Sequence, residues 1–454
     1  MKKLTDAPFV SSVAGENSLF GNFGNSFGQI KVEDFVKTLN FNDDLVLNQL
    51  AFYIDVNKAS SLGSTRVDVG GNMNMREMWE NSAVSILMDE NGNYCELNPN
   101  DCRYTADGDS LLNSDGTIVS EFAHGDFMKI IPVTYGRVQT VTVGATTVLR
   151  LWLSLVPLPG GYTIPQLVVG KFKASLVSGK MRSLPGQIPA NSQDLRGFWE
   201  KAQRRSKNHG LANLDFRNYL LFHMMSKYAY RDCQNCKTAD GTLVWGVGLD
   251  GTEGLASGET AGNNGFSNQK NVKTGHTLSL GDNDGKMAVT LPNGNTAHGV
   301  NVAGFENPWG QYWEMIGGLC SVGTDVYCWR SNVVPASIPA PTAETFEKID
   351  HTLLTRPTTA VYGMNIISSK DGQGVYMIPK ENISGISYSD YYYYHASGQL
   401  WLFGGYSDSA SRCGLASAYS NNAWTNSNSA FSARLAFYGA LNKVSSTQFK
   451  ALGV

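Results

Sequence analysis

Apolar residues along this chain follow two periods, and the change from one to the other divides it. Leu149, Leu151, Leu153 and Leu155 alternate with Arg150, Trp152 and Ser154, the period of two that buries one face of a strand more deeply than the other. The surrounding segment RVQTVTVGATTVLRLWLSLVPLPGGY reads as a hairpin, and MDENGNY and NSDGT upstream are turn clusters. A helical repeat begins only after residue 190. Asn191 and Ser192 suit an N-cap, and Leu195, Phe198, Trp199 and Ala202 fall on one helix face. A second stripe runs through Phe216, Tyr219, Leu220, His223, Met224 and Tyr228. The long Gly/Asn/Trp-rich remainder has no comparable helical period. Residues 1 to about 60 (SLFGNFGNSFGQIKVEDFV at their centre) read as short strand-like pieces without a core of their own. The expected division is therefore an N-terminal segment over 1–60, a β-rich domain over 61–165 and a third domain over 166–454.

Composition sharpens the class. The 454 residues suffice for two to three domains, and 42% hydrophobic residues give each a core. Charged residues make up only 17%, beside 48 Gly, 20 Tyr and 20 Phe, a balance that favours turn-rich β structure over long surface helices. The expected class is α+β and β-rich. A net charge of −3 gives no global pull toward nucleic acid or an anionic membrane, so neither is an expected partner. The opening MKKLTDAPFVSSVAGENS reaches Asp6 and Pro8 before any apolar run, so no secretory or lipoprotein leader is expected, and no run approaches a membrane span.

Several chemistries are set aside on spacing. Cys233 and Cys236 form a CxxC, but no second Cys pair or His pair follows at zinc-finger spacing, which leaves a structural thiol pair. Cys95 with Cys102 and Cys320 with Cys328 are spaced to close small loops if oxidised, and reduced thiols are the default for an odd count of seven. The seven histidines are scattered without an HExxH, and His223 is placed at the border of a core. Asp282-Asn283-Asp284-Gly285 resembles the start of a calcium loop but lacks its closing Glu, so a tight turn is expected. No metal, cofactor or catalytic group is expected.

The most specific string is Gly304-Phe305-Glu306-Asn307-Pro308-Trp309-Gly310-Gln311-Tyr312-Trp313-Glu314. Asn307-Pro308 with Gly310 makes a turn, Trp309 and Trp313 bury indole faces beneath a loop-rich surface, and Glu306 is expected to be satisfied by loop amides. The string resembles the signature of the variable proteins of diversity-generating retroelements, and is similar also to a motif of formylglycine-generating enzymes. A second segment resembles the variable region of the same family: Leu402-Phe403-Gly404-Gly405, Cys413-Gly414-Leu415, Ser420-Asn421-Asn422 and Ala433-Arg434-Leu435, with Ser432 near the position of the family's glycine. The resemblance covers roughly 165–454 and implies a C-type-lectin-like domain, with a variable region at about 386–440.

Composition agrees. From Asn382 to Asn442 there is no Lys, Glu or Met. Replacing adenines in AAC or AAT codons yields Asn, Ser, Thr, Tyr, Asp, Ala and Gly among its products, and never Lys, Glu, Gln, Met or Trp. Gln399, Trp401 and Trp424 are then framework, and the tyrosines and small polar residues between them are candidates for variation. Antibody paratopes use the same side chains, Tyr for rigid area and Ser and Asn for adaptable hydrogen bonds.

The resemblance implies a phage receptor-binding protein, an adhesin at the tail-fibre tip and not an enzyme, which binds a glycan or protein of the bacterial host surface. It further implies an N-terminal tail-attachment segment, other tail proteins as partners, a homotrimer, and a place in the virion after synthesis in the host cytoplasm. The expected receptor-binding residues are Tyr406, Asp408, Ser409, Ser411, Arg412, Ala416, Ala418, Tyr419, Asn426 and Asn428, all exposed. The expected framework is Glu306, Asn307, Trp309, Trp313, Gly404, Gly405 and Arg434. Two alternatives stand beside this: a non-phage surface or secreted adhesin of the same fold, and an enzyme of the formylglycine-generating type. The second needs a pair of reactive cysteines near the C-terminus, where only Cys413 is available.

Overall fold

The computed structural model describes residues 43–58, 60–323, 325–329, 332–335 and 398–453. It also describes Asp390 and the short strands Ser18–Leu19, Ile30–Lys31, Glu347–Thr352, Asn365–Ser368, Val375–Ile378 and Tyr392–Tyr394. Strand outweighs helix by 35% to 18%, which places the chain in the β-rich α+β class. Most of the expected N-terminal attachment segment lies outside the described residues. Its two short strands pair with each other, Ser18 opposite Lys31.

The hairpin expected around residue 144 forms. Thr134–Val143 pairs antiparallel with Thr146–Ser154 in unbroken register from Tyr135↔Ser154 to Val143↔Thr146. It belongs to a five-stranded sheet in the order Tyr162–Ile164, Thr134–Val143, Thr146–Ser154, Phe52–Asp55, Asp68–Gly71. The alternation in the second strand has a different outcome from the expected one. Leu151 and Leu153 enter one core cluster with Phe216, Tyr219 and Leu220, but Trp152 on the other face is also buried, among Leu47, Ala51 and Leu158. Leu47 belongs to the helix Asp43–Leu50, a second cover that periodicity in the strand cannot announce.

A seven-stranded sheet overrides the expected division of the chain. Its order is His209–Leu211, Leu435–Phe437, Leu167–Gly170, Asp126–Ile131, Val84–Met88, Asn93–Glu96, Asn442–Lys443. Leu167–Gly170 pairs with Asp126–Ile131 on one side and Leu435–Phe437 on the other, so backbone hydrogen bonds cross the boundary expected at 165. The boundary expected at 60 is crossed in the same way, because Phe52–Asp55 pairs with both Asp68–Gly71 and Thr146–Ser154. All four residues of Leu167–Gly170 are buried. A strand with both faces covered needs a neighbour on each edge to satisfy its amides and carbonyls.

Both expected helices are present. Leu195–Gln203 buries Leu195, Phe198 and Ala202 and leaves Trp199 half-buried. Its N-cap is Asp194, not Asn191 or Ser192: the Asp194 carboxylate accepts from the Gly197 amide at 2.6 Å, and Ser192 has a left-handed φ of 57°. Leu214–Tyr228 is capped by Asn213 and buried from Leu214 to Ser226 without an exposed face, Asp215, Arg217 and Asn218 included. The apolar stripe marked one side of a helix that is enclosed on every side.

A third sheet carries the motif strand Trp313–Val322. In the order Glu347–Thr352, Asp325–Cys328, Trp313–Val322, Leu400–Phe403, Ala418–Asn422, Tyr392–Tyr394, it also takes Phe431–Ala433 as a parallel partner of Trp313–Met315.

Asp282 and Asn283 lie in a turn closed by the Asn283 amide on the Leu280 carbonyl at 3.0 Å, Gly285 opens the strand Gly285–Thr290, and the carboxylates of Asp282 and Asp284 anchor cations. Asp282 lies 2.9 Å from the Lys129 ammonium and 3.3 Å from that of Lys171. Asp284 accepts from His223 Nε2 at 2.9 Å, Lys227 at 2.7 Å and the Tyr228 hydroxyl at 2.9 Å. Burial opposes ionisation of Asp282, but the two lysines hold its carboxyl down at about 2. His223 is thus buried beside Tyr219 of the main core cluster, as expected of a histidine at the border of a core. All seven cysteines are buried. Among the described residues no helix is long and apolar enough to cross a membrane.

Candidate functional site

The motif builds a buried frame before it presents any surface. The Glu306 carboxylate accepts from the Gly275 amide at 2.9 Å and from the Thr277 amide and hydroxyl at 2.9 and 2.8 Å, as expected of a group satisfied by a loop. Asn307, at φ 46°, locks the turn by exchanging hydrogen bonds with Val300: its amide donates to the Val300 carbonyl at 2.8 Å, and its Oδ1 accepts from the Val300 amide at 2.9 Å. Trp309 is fully buried, with Nε1 on the Val247 carbonyl at 3.1 Å and its ring edge-on to Trp245.

Arg434 ties these pieces together. Its fully buried guanidinium donates to Glu314 at 3.0 Å and to the carbonyls of Lys171 at 2.8 Å and Glu306 at 2.6 Å. The guanidinium has donors enough for several carbonyls, and the ion pair adds a charge partner. Gly404 and Gly405, at φ 87° and 77°, carry the chain from the strand Leu400–Phe403 into the loop above. A Cβ at Gly404 would stand 2.6 Å from the Pro308 carbonyl oxygen, and one at Gly405 2.6 Å from Cys413 Sγ, so both places exclude a side chain on space as well as on conformation.

Over this frame opens a cleft of about 400 Å³. Six of the ten expected binding residues line it: Tyr406, Asp408, Ser409, Arg412, Tyr419 and Asn428. Trp313, only 7% exposed, joins them from the motif. The Tyr406 hydroxyl donates to Asp408 at 2.7 Å, and burial together with that carboxylate raises the phenol above its ordinary range. Ser409 Oγ accepts from the Tyr406 amide at 3.2 Å, and Arg412 Nε donates to the Ser409 carbonyl at 3.2 Å. Cys413 lies beneath, its thiol donating to the Tyr406 carbonyl at 3.3 Å and pushed well up by burial.

In exposure the ten expected residues divide. Ser411, Arg412, Asn426 and Asn428 are exposed, and Tyr406, Asp408 and Tyr419 half-buried. Ser409, Ala416 and Ala418 are buried, contrary to expectation. Ala418 faces inward from the strand Ala418–Asn422 onto Leu214, Ile316 and Phe403, and Ala416 packs into the main core while its amide donates to Asp390 at 2.7 Å. The period of two in that strand points Tyr419 and Asn421 outward and could have excluded Ala418. Asn421 and Asn422 line the cleft although only their segment was singled out. Phe266 also lines it, from a short helix after a Gly/Asn-rich loop, and no local signal marks it. Residues 386–389, 391 and 395–397 of the expected variable region lie outside the described residues.

Among the described residues no group of three or more His, Cys, Asp or Glu side chains is placed to hold a metal ion. Comparison with protein-family models gives no match, and comparison with curated proteins gives none either.

Proposed function

We propose that the chain is a receptor-binding protein of a phage tail fibre, and that the cleft above the Trp313 strand is where it meets the bacterial surface. One observation carries the proposal: six residues expected to vary share one open cleft, while Glu306, Asn307, Trp309 and Arg434 of the expected framework are buried outside its lining and only Trp313 reaches it. A segment that changes its side chains must keep them off the core, and such a division between rim and frame is what a diversified face requires.

The C-type-lectin-like fold is part of the proposal. Its support is the antiparallel pairing of Leu167–Gly170 with Leu435–Phe437, which brings the two ends of the domain together around two helices and a loop-rich sheet. Homotrimerisation, attachment to other tail proteins through the N-terminal segment and a place in the virion complete it. Trimers multiply weak single-site contacts when all sites engage one surface.

The test is binding of the labelled full-length protein to a panel of bacterial strains, repeated with Asp408→Ala and Arg412→Ala. Each substitution should change which strains are bound, or how strongly, at an unchanged melting temperature. Strain binding that ignores both substitutions overturns the assignment of the cleft, and absence of binding to every strain overturns the receptor reading.

A further inference from the structure

Four aromatic rings from separate parts of the chain form a continuous row in the cleft, and a fifth extends it. Phe266 meets Tyr406 edge-on at 5.3 Å, Tyr406 stacks on Trp313 at 6.2 Å and 30°, and Trp313 lies 5.5 Å and 31° from Tyr419. Tyr419 stacks in turn on Tyr393 at 4.8 Å and 19°. The rings take up much of each other's faces, and the parts that Phe266, Tyr406 and Tyr419 leave to the cleft, each half-buried, form an apolar wall. The rim around it is amide: the side-chain oxygens of Asn421, Asn422 and Asn428 accept from Asn422, Asn426 and the Ala430 amide, and each residue keeps at least one side-chain N–H and a second lone pair for a ligand. The two charged residues of the lining, Asp408 and Arg412, are of opposite sign and are engaged locally, Asp408 by the Tyr406 hydroxyl and Arg412 by the Ser409 carbonyl.

We infer that the cleft takes a sugar ring of a bacterial surface glycan, packed by its C–H face against the aromatic wall and held without a metal ion. The inference rests on the receptor reading above and narrows it to one ligand class. A pyranose has one face of C–H groups that packs on an aromatic ring and an edge of hydroxyls that each donate and accept, which matches an apolar wall with an amide rim. The absence of a net charge among the lining side chains favours a neutral ligand over an anion or a cation. About 400 Å³ lies within the range of small-ligand sites, about 300–1,000 Å³, whereas a folded protein partner calls for about 800 Å² of surface on each side. Trp313 and Phe266 lie outside the 386–440 segment. They remain when that segment varies, so the platform keeps the ligand class while the rim selects linkage and substituents.

The experiment uses the full-length protein and a strain it binds in the panel above. Cells are treated with periodate, which cleaves vicinal diols, or with proteinase K, or are assayed in EDTA. Periodate should lower binding by about tenfold or more, and proteinase or EDTA should leave it within about twofold. Tyr419→Ser should lose about tenfold with its melting temperature unchanged, while Tyr419→Phe, which keeps the ring and loses the hydroxyl, should stay within about threefold. If Tyr419→Ser does not fold, Asn428→Ala at the exposed rim takes its place, with a loss of at least about threefold expected. Binding that survives periodate and is lost to proteinase overturns the glycan inference and leaves the receptor reading standing. Loss in EDTA overturns the metal-free mode, and equal losses for Tyr419→Ser and Tyr419→Phe overturn the stacking platform.

Discussion

The buried frame and the rim of the cleft meet across a few ångströms and are made of opposite chemistry. Beneath, Arg434 and Glu314 are both fully buried and paired at 3.0 Å, and Lys173 sits among the same residues with its ammonium on the carbonyls of Asn307 and Gly310. Above, Ser411, Arg412, Asn426 and Asn428 are exposed, and the polar contacts among the rim side chains are local, such as Asn426 Nδ2 on Asn422 Oδ1 at 3.1 Å. Each partner lost from the frame leaves a charge stranded in low dielectric, while a rim group that loses a partner turns to water. The difference teaches where sequence can change: tolerance follows from what a side chain leaves behind when it is removed.

The sharpest way to break the comparison is at Arg434. Arg434→Met strands Glu314 and takes a donor from the Glu306 carbonyl and one of two from the Lys171 carbonyl, which keeps the Glu306 amide at 2.9 Å. It should destabilise the fold by about 3–5 kcal/mol, read by urea unfolding. Arg434→Met combined with Glu314→Met should recover part of the loss, since a buried pair removed together costs less than one partner removed alone. A loss under about 1 kcal/mol for the single change would equate frame with rim.

The second prediction uses pH. Burial holds the Lys173 ammonium down at about 7 against the attraction of Glu314, with Arg434 and Arg217 pushing the same way as burial. Below pH 7 folded and unfolded chains both carry the proton, and the cost of burying the charge is fully present. Between about 7 and the ordinary value of 10.5 the unfolded chain keeps a proton that the folded one has released, so stability rises with pH. From pH 7 to 9 this contributes roughly 2 kcal/mol. Lys173→Met should flatten that rise in chemical-denaturation curves, whatever it does to absolute stability. An identical slope in both proteins would show that Lys173 does not titrate in this window.

What was legible in the sequence was local. The hairpin around Gly144, the presence of the two helices and the Asn307 turn follow from period or turn chemistry within a few residues. What was missed involves a partner far along the chain. Nothing near Leu167 states that its strand lies between Asp126–Ile131 and Leu435–Phe437, so divisions at 60 and 165 looked natural. Nothing near Asp282 announces Lys129 and Lys171, and Phe266 reaches the cleft only through tertiary packing. Ala418 is a different case. Its burial follows from alternation with Tyr419, although the codon pattern of the segment favours a variable position.

Ala418 therefore marks the edge of the diversified set. Its side chain touches the core cluster of Leu214, Ile316 and Phe403, so Ala418→Tyr should cost about 1–3 kcal/mol by overpacking, against a smaller effect of Ala418→Ser. Thermal unfolding of the two variants decides the matter. A tyrosine accepted at no cost would return this position to the variable face.

The smallest effects are expected on the rim, and their smallness is the point. Asp408, Ser411 and Asn426 take no part in any core cluster, and Ser411 and Asn426 are exposed. Substitutions at such positions stay within about 0.5 kcal/mol, because the removed group leaves neither a cavity nor a stranded charge. Ser411→Tyr, Asn426→Tyr and Asp408→Asn should accordingly melt with the parent protein. They should also separate by location: Asp408 lines the cleft, while Ser411 and Asn426 stand outside its lining. Asp408→Asn should alter strain binding, and the other two should leave binding of a small ligand in the cleft unchanged. Measuring all three by thermal unfolding and by cell binding distinguishes a recognition surface centred on the cleft from one spread over the whole loop. If Ser411→Tyr and Asn426→Tyr change binding as much as Asp408→Asn does, the receptor contacts the loop as a broad surface and the cleft is only part of it.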